Sequence, residues 1–185
     1  MSLKSIDYIT MVDNAFYIRR TKTRSEAITL ITKLFVDGYW CVKQLTNVEE
    51  YRQNLPDTEV AFRAVRSMLL AAAATNGALS DFEYEIYCNF CKQVNKIPLS
   101  QSKASEAAKS QLTIDKVKIW RSLNSGRHLL NETLYHNLVY AMTLTIIYQD
   151  GHFFKSDYDL MTIMLRPGFD KTGSSYNDLM SQIYI

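Results

Sequence analysis

An all-α fold is what this sequence predicts: a single-domain helical bundle of two similar helical halves with an N-terminal helical extension. Three observations carry that reading: a scarcity of turn formers, apolar residues at helical spacing between capping signals, and an internal repeat. The 185 residues include only 6 Gly and 3 Pro, with 47% hydrophobic and 22% charged residues. A fold of many short strands would need more tight turns than that. A chain of this length buries roughly two thirds of its unfolded surface in one core, so no disulfide or metal staple is required.

The helix starts are written in side chains. Thr23 with Glu26, Thr46 with Glu49 and Ser80 with Glu83 have the spacing in which a hydroxyl bonds a first-turn N–H while the acid reaches back. Ser156 with Asp159 is a shorter-armed version, and Asp57 or Thr58 after Pro56, with Asn131 before Glu132, supply simpler caps. These signals and the apolar spacing predict helices within about 5–18, then 24–36, 46–54, 58–75, 81–94, 101–110, 113–123, 132–149, 157–165 and 174–183. Phe62, Val65, Leu69, Ala72 and Ala73 mark one core face, and Leu134, Leu138, Val139, Met142 and Ile146 another. Four consecutive alanines, Ala71 to Ala74, allow a close helix crossing. Pro98 and Pro167 fall in connectors. The Ala/Ser/Lys-rich segment Ser100–Ser110 reads as a peripheral helix joining the two halves.

The repeat has an offset of 74 residues, set by Gly77 and Gly151. Val65 then falls on Val139, Met68 on Met142, Leu70 on Leu144 and Asn76 on Asp150. Beyond the glycine, aligning Ser80 with Ser156 requires two extra residues in the second copy and pairs Asp81 with Asp157 and Glu83 with Asp159.

The run Ala71-Ala-Ala-Ala-Thr-Asn-Gly-Ala-Leu-Ser-Asp-Phe-Glu83, with Tyr148-Gln-Asp-Gly151, Asp157 and Asp159, resembles the TerB-like family. This is the helical domain of tellurite-resistance proteins, also found at the front of a membrane-bound DnaJ-type co-chaperone. The resemblance covers roughly residues 57–166 and implies two similar helical halves, acidic residues of the two Asp-Gly segments brought together, and a role in stress response, ion handling or partner assembly. The chain departs from the family at Asn76, where Asp is usual, at Asp159, where Glu is usual, and in the longer second loop. On this reading residues 1–55 form the helical extension and 56–185 the TerB-like domain, packed together as one unit.

Composition limits the function classes. With 21 basic and 19 acidic residues the net charge of +2 marks neither a dedicated nucleic-acid binder nor an acidic tail. The opening Met1-Ser-Leu-Lys lacks a signal-peptide core, and no apolar run of about 18 residues exists to span a bilayer. A soluble cytoplasmic protein with reduced cysteines is the expectation.

Few residues suggest chemistry. Asp81, Glu83, Glu85, Asp150, Asp157 and Asp159 would cluster if the halves pack about a pseudo-twofold axis, and such oxygens suit a divalent cation. The plain alternative is that first-turn carboxylates only favour the positive ends of helices. Neither loop has the ligand pattern of an EF-hand. Cys88-Asn-Phe-Cys91 has a Cys-x-x-Cys spacing, yet Cys41 and a histidine would have to complete a zinc site, and two thiols one turn apart inside a helix are small core residues first. His128 and His136 lie in no nucleophile motif; His152, beside Asp150-Gly151, could add pH sensitivity to the acidic cluster. Phe153-Phe154 either plugs a gap inside the fold or marks a partner surface. Arg19, Arg20, Lys22 and Arg24 form one basic cluster, and residues 103–127 carry six basic against two acidic residues; connecting helices commonly bear such solvated charge, and no nucleic-acid partner is expected. No catalytic residue stands out. The expected function is a non-enzymatic interaction module, stress-related or envelope-associated, that meets a protein partner through the acidic surface together with Glu85, His152, Phe153 and Phe154. The alternative is a metal-dependent enzyme or cation sensor using the same carboxylates.

Overall fold

The computed structural model describes residues 8–45, 57–74, 77–111 and 132–157. Within them the regular structure is helical: α1 (Tyr8–Thr21), α2 (Arg24–Leu45), α3 (Asp57–Ala74), α4 (Asp81–Gln93), α5 (Gln101–Gln111) and α6 (Glu132–Asp150). A further helix begins at Lys155. The expected helices at 46–54, 113–123 and 174–183, and the Thr46–Glu49 cap, lie outside the described residues.

The axis of the bundle is α6. Every residue from Ala141 to Ile147 is buried, as expected for a helix that is apolar on all sides. Its two interior hydroxyls are satisfied one turn back: Thr143 Oγ1 donates to the Val139 carbonyl at 2.9 Å and Thr145 Oγ1 to the Ala141 carbonyl at 2.8 Å. Helices α1, α2 and α3 pack around it, α4 lies against α2, and α5 against α3. Phe90 of α4 ties three helices together, with its ring stacked on Phe62 of α3 at 5.9 Å and edge-on to Phe35 and Tyr39 of α2 at 6.5 and 6.3 Å.

The residues before α3 contribute directly to this core. Met11, Val12 and Ala15 of α1 and Ile28, Ile31, Phe35 and Tyr39 of α2 are buried in the same apolar cluster as α3, α4 and α6. The expected end of the second helix at 36 is corrected, since α2 continues to Leu45. Asp37-Gly38 has the look of a helix break, but Gly38 serves packing: a Cβ there would lie 2.0 Å from Leu138 Cδ2. The missing side chain is what lets α6 approach. Helix α5 is also less peripheral than expected, because Ala104 and Ala108 are fully buried one turn apart, in the helix that packs on α3.

The repeat persists in the structure, but without the two-residue insertion. Both glycines have positive φ, +100° at Gly77 and +69° at Gly151, where a side chain would be strained. Two residues on, Leu79 and Phe153 are both buried, and the next residue caps a helix. The Ser80 N–H donates to Glu83 Oε2 at 2.8 Å; the Phe154 N–H donates to Asp157 Oδ2 at 2.8 Å. The offset of 74 therefore runs unbroken through the cap, and Asp157 corresponds to Glu83 rather than to Asp81. Matching the serines misled because the second cap is built from a backbone N–H alone, at a phenylalanine.

Candidate functional site

One end of the bundle gathers the α1–α2 turn, the first turn of α4 and the last turn of α6. The α4 start is a complete capping box: Glu83 Oε2 accepts from the Ser80 N–H at 2.8 Å and from Ser80 Oγ at 2.9 Å, while Ser80 Oγ accepts the Glu83 N–H at 3.2 Å. Helix α5 closes the loop behind it, with Gln101 Nε2 donating to the Leu79 carbonyl and to Asp81 Oδ1, both at 3.1 Å, and the Leu79 N–H donating to Ser105 Oγ at 3.1 Å.

The box draws the Glu83 carboxyl inward. Glu83 is 1% exposed, and its second oxygen, Oε1, has no hydrogen-bond partner. Burial pushes its pKa up to about 7; the Ser80 hydrogen bonds oppose the rise and the Asp150 charge adds to it.

A clamp from the α1–α2 turn lies over this junction. Arg19 Nε donates to the Tyr148 carbonyl at 3.3 Å, and a Cβ on Gly151 would lie 2.6 Å from Arg19 Nη2, so the guanidinium rests directly on the α6 terminus. A cation there suits the negative end of the helix. Tyr148 Oη donates to the Lys22 carbonyl at 3.1 Å, and the Tyr148 ring stacks on Phe82 at 4.9 Å. Arg24 pairs with Glu85 at 2.6 Å and lies 5.8 Å above the Phe82 ring. The Thr23–Glu26 box holds the turn, with the Thr23 N–H on Glu26 Oε2 at 2.8 Å.

The candidate residues separate accordingly. Glu83 is buried as the cap of α4, and Asp150, at the end of α6, acts on it only through its charge. Asp81 and Glu85 are exposed, one held by Gln101 and the other by Arg24. Asp157 is buried as the cap of the following helix, and Asp159 lies outside the described residues. Among the described residues no group of three or more His, Cys, Asp or Glu side chains is arranged to hold a metal ion. The Phe153-Phe154 pair divides: Phe153 is 1% exposed, while Phe154 is 49% exposed with the exposed His152 ring 5.8 Å away. His128 lies outside the described residues, as do the side chains of His136 and Cys41 and residues 112–127 of the basic stretch 103–127.

Cys88 and Cys91 are both free thiols. Cys91 is buried, and burial pushes its thiol up to about 11, the opposite of what an activated dithiol needs. Its neighbour Tyr87 is likewise raised to about 12 by burial. The pair acts as packing.

Sequence reading missed the clamp. Arg19 and Tyr148 stand 129 residues apart, and nothing local distinguishes Arg19 from its exposed neighbour Arg20. The chain matches no protein-family profile, no curated protein and no solved structure.

Proposed function

We propose that this protein is a non-catalytic interaction module of TerB-like type that binds a protein partner through the bundle end carrying the 151–156 loop. The observation that supports this most is Phe154. Its ring is about half exposed, yet its backbone is fixed: Phe153 is anchored in the core, the Phe154 N–H is bonded to Asp157, and Gly151 lies under Arg19. An aromatic held rigidly in water loses little freedom on binding, and such residues dominate binding energy at interfaces. Asp81 and the Arg24-paired Glu85 lie at the surface of the same bundle end and would form part of the polar rim around that ring. On the family resemblance, that partner belongs to a stress-response or envelope-associated system, and the protein acts in the cytoplasm.

The test is site-specific photo-crosslinking in cells that make the protein. A photoreactive residue at Phe154 is expected to capture a discrete partner, and one at the exposed Thr29 on α2 is not. Equal labelling at both positions, or none at Phe154, sinks the reading. A second reading, a cation sensor, draws on the buried Glu83 Oε1 and on the Asp150 charge that acts on it. Calorimetry of Ca²⁺, Mg²⁺ and Zn²⁺ into metal-stripped protein tests it: heat that disappears in Asp150→Ala favours the sensor, and no heat from any ion removes it.

A further inference from the structure

We propose that the bundle end opposite the 151–156 loop is a docking face for an anionic lipid bilayer, with Trp40 and Ile97 entering the interface and Lys43, Arg63, Arg66 and Lys96 meeting the headgroups. The place follows from α2, which starts at Arg24 in the clamp and carries Trp40 roughly 24 Å further along its axis. There the first turns of α3 and the loop after α4 join it through a chain of ring contacts: Trp40 to Tyr39 at 5.1 Å, Tyr39 to Phe90 at 6.3 Å and Phe90 to Phe62 at 5.9 Å. Basic heads lie on these rings. Lys43 Nζ is 4.7 Å from the Trp40 centroid, and Arg66 and Lys96 are 5.2 and 5.4 Å from that of Phe62.

Two large apolar side chains at this end are left in water: Trp40 is 47% exposed and Ile97 is 93% exposed. The loop that carries Ile97 is fixed on both sides. Before it, the Lys96 N–H donates to the Cys91 carbonyl at 2.8 Å and Lys96 Nζ reaches Glu59 at 2.9 Å. After it, the Leu99 N–H donates to Tyr87 Oη at 3.2 Å, and Tyr84 Oη donates to the Leu99 carbonyl at 3.1 Å. A singly exposed apolar residue is ordinary. An aliphatic tip held outward by a bonded loop, at the end that also exposes a tryptophan among cations, is a built feature.

Charge and area select the occupant. Glu59 answers Arg63 and Lys96 together, and Lys33 with Asp37 forms a closed pair on α2, so the four basic residues outnumber the acid they share. Positive charge in excess calls for an anionic surface. Two separate apolar side chains supply far less than the roughly 800 Å² that a stable protein interface takes from each partner. A bilayer needs no such matched area: tryptophan settles at the headgroup level, an aliphatic tip enters the acyl boundary, and each Lys or Arg near an anionic surface tightens binding about fivefold. A chain seated this way carries Phe154 on the side away from the lipid, so docking is compatible with the proposed partner contact and does not depend on it.

The experiment is flotation of the full-length protein with vesicles of phosphatidylcholine alone, or of equal parts phosphatidylcholine and phosphatidylserine. It is read together with fluorescence in a Trp120→Phe background, where Trp40 is the only tryptophan. The protein is expected to float with the phosphatidylserine vesicles and not with phosphatidylcholine alone, to shift its Trp40 emission to shorter wavelength, and to detach as salt is raised. Ile97→Ser is expected to weaken binding about tenfold without changing the melting temperature, because that side chain is already in water. Phe154→Ala is expected to float like the wild type, which separates failure of the docking face from failure of the partner reading. No flotation with phosphatidylserine, equal flotation with both vesicles, an unshifted Trp40 emission, or wild-type binding by Ile97→Ser overturns the proposal. Retention on poly-glutamate without flotation also overturns it and gives the face to an acidic protein segment instead.

Discussion

Replacing Gly38 by alanine is expected to destabilise the protein although the position is inside a helix. In an exposed helix interior this change gains about 1 kcal/mol, because glycine is the more flexible residue in the unfolded chain. Here the new Cβ would lie 2.0 Å from Leu138 Cδ2, 2.5 Å from Cγ and 3.0 Å from Cδ1. Two carbon atoms in contact stay about 3.5–4.0 Å apart, so α2 and α6 would have to separate by more than an ångström or Leu138 would have to leave its rotamer. Leu138 is 1% exposed, with no solvent to move into. Overpacking costs about 1–3 kcal/mol, and so close an approach to a buried side chain puts this change in the upper part of that range, about 2–3 kcal/mol, so that after the propensity gain a net loss of roughly 1–2 kcal/mol remains. For a chain of this size that lowers the melting temperature by about 2–8 °C. Denaturant melts followed by far-UV circular dichroism, with Leu138→Ala and the double variant, complete a cycle. Leu138→Ala alone should cost about 2–5 kcal/mol, and the double variant should be more stable than the sum of the single losses by at least about 1 kcal/mol. A neutral or stabilising Gly38→Ala, or strict additivity in the cycle, would refute the close approach of the two helices.

Other changes give graded outcomes. Gly77→Ala meets no atom within 4 Å and should lose only the roughly 1–2 kcal/mol of its positive φ, whereas Gly151→Ala also collides with Arg19 and should lose more, a difference that Arg19→Ala should erase in denaturant melts. Thr23→Ala removes half of a solvent-exposed capping box and should cost about 1 kcal/mol by thermal melting, with little change in the rest of the fold. Cys91 should react with a thiol reagent at least about 100-fold more slowly than an unfolded-chain cysteine, since its raised pKa depletes the thiolate, and denaturant should abolish the difference. Because Glu83 is raised from 4.5 to about 7, its contribution to stability is fully present below pH 4.5 and is lost as the pH rises toward 7, by up to about 3 kcal/mol. Glu26 and Glu59 are lowered by their partners and act with the opposite sign, so comparison with Glu83→Gln isolates the Glu83 part of the pH profile.

What could be read without a structure is what short-range chemistry controls. The Thr23–Glu26 and Ser80–Glu83 boxes are made within three residues, and both are present as read. The core faces of α3 and α6 follow from helical spacing, and Val65, Leu69, Leu138, Val139, Met142 and Ile146 are all buried. The glycines at 77 and 151 announce themselves because each follows an apolar helix, and both do adopt positive φ.

Tertiary structure decided matters in which sequence separation hides the cause. Gly38 reads as a break until Leu138, 100 residues away, occupies the space above it. Phe153 and Phe154 are indistinguishable as letters, and the cap at Asp157 is what sends one ring inward and leaves the other in water. Glu83 is identified correctly as a cap by its spacing, but its elevated acidity arises from burial and from Asp150, which depend on where α6 ends relative to α4. Hydrogen bonds between near neighbours are encoded by residue type and spacing, whereas burial and the field at a charge are set by the whole packed molecule, and so the helices were legible in this chain while the state of the buried Glu83 was not.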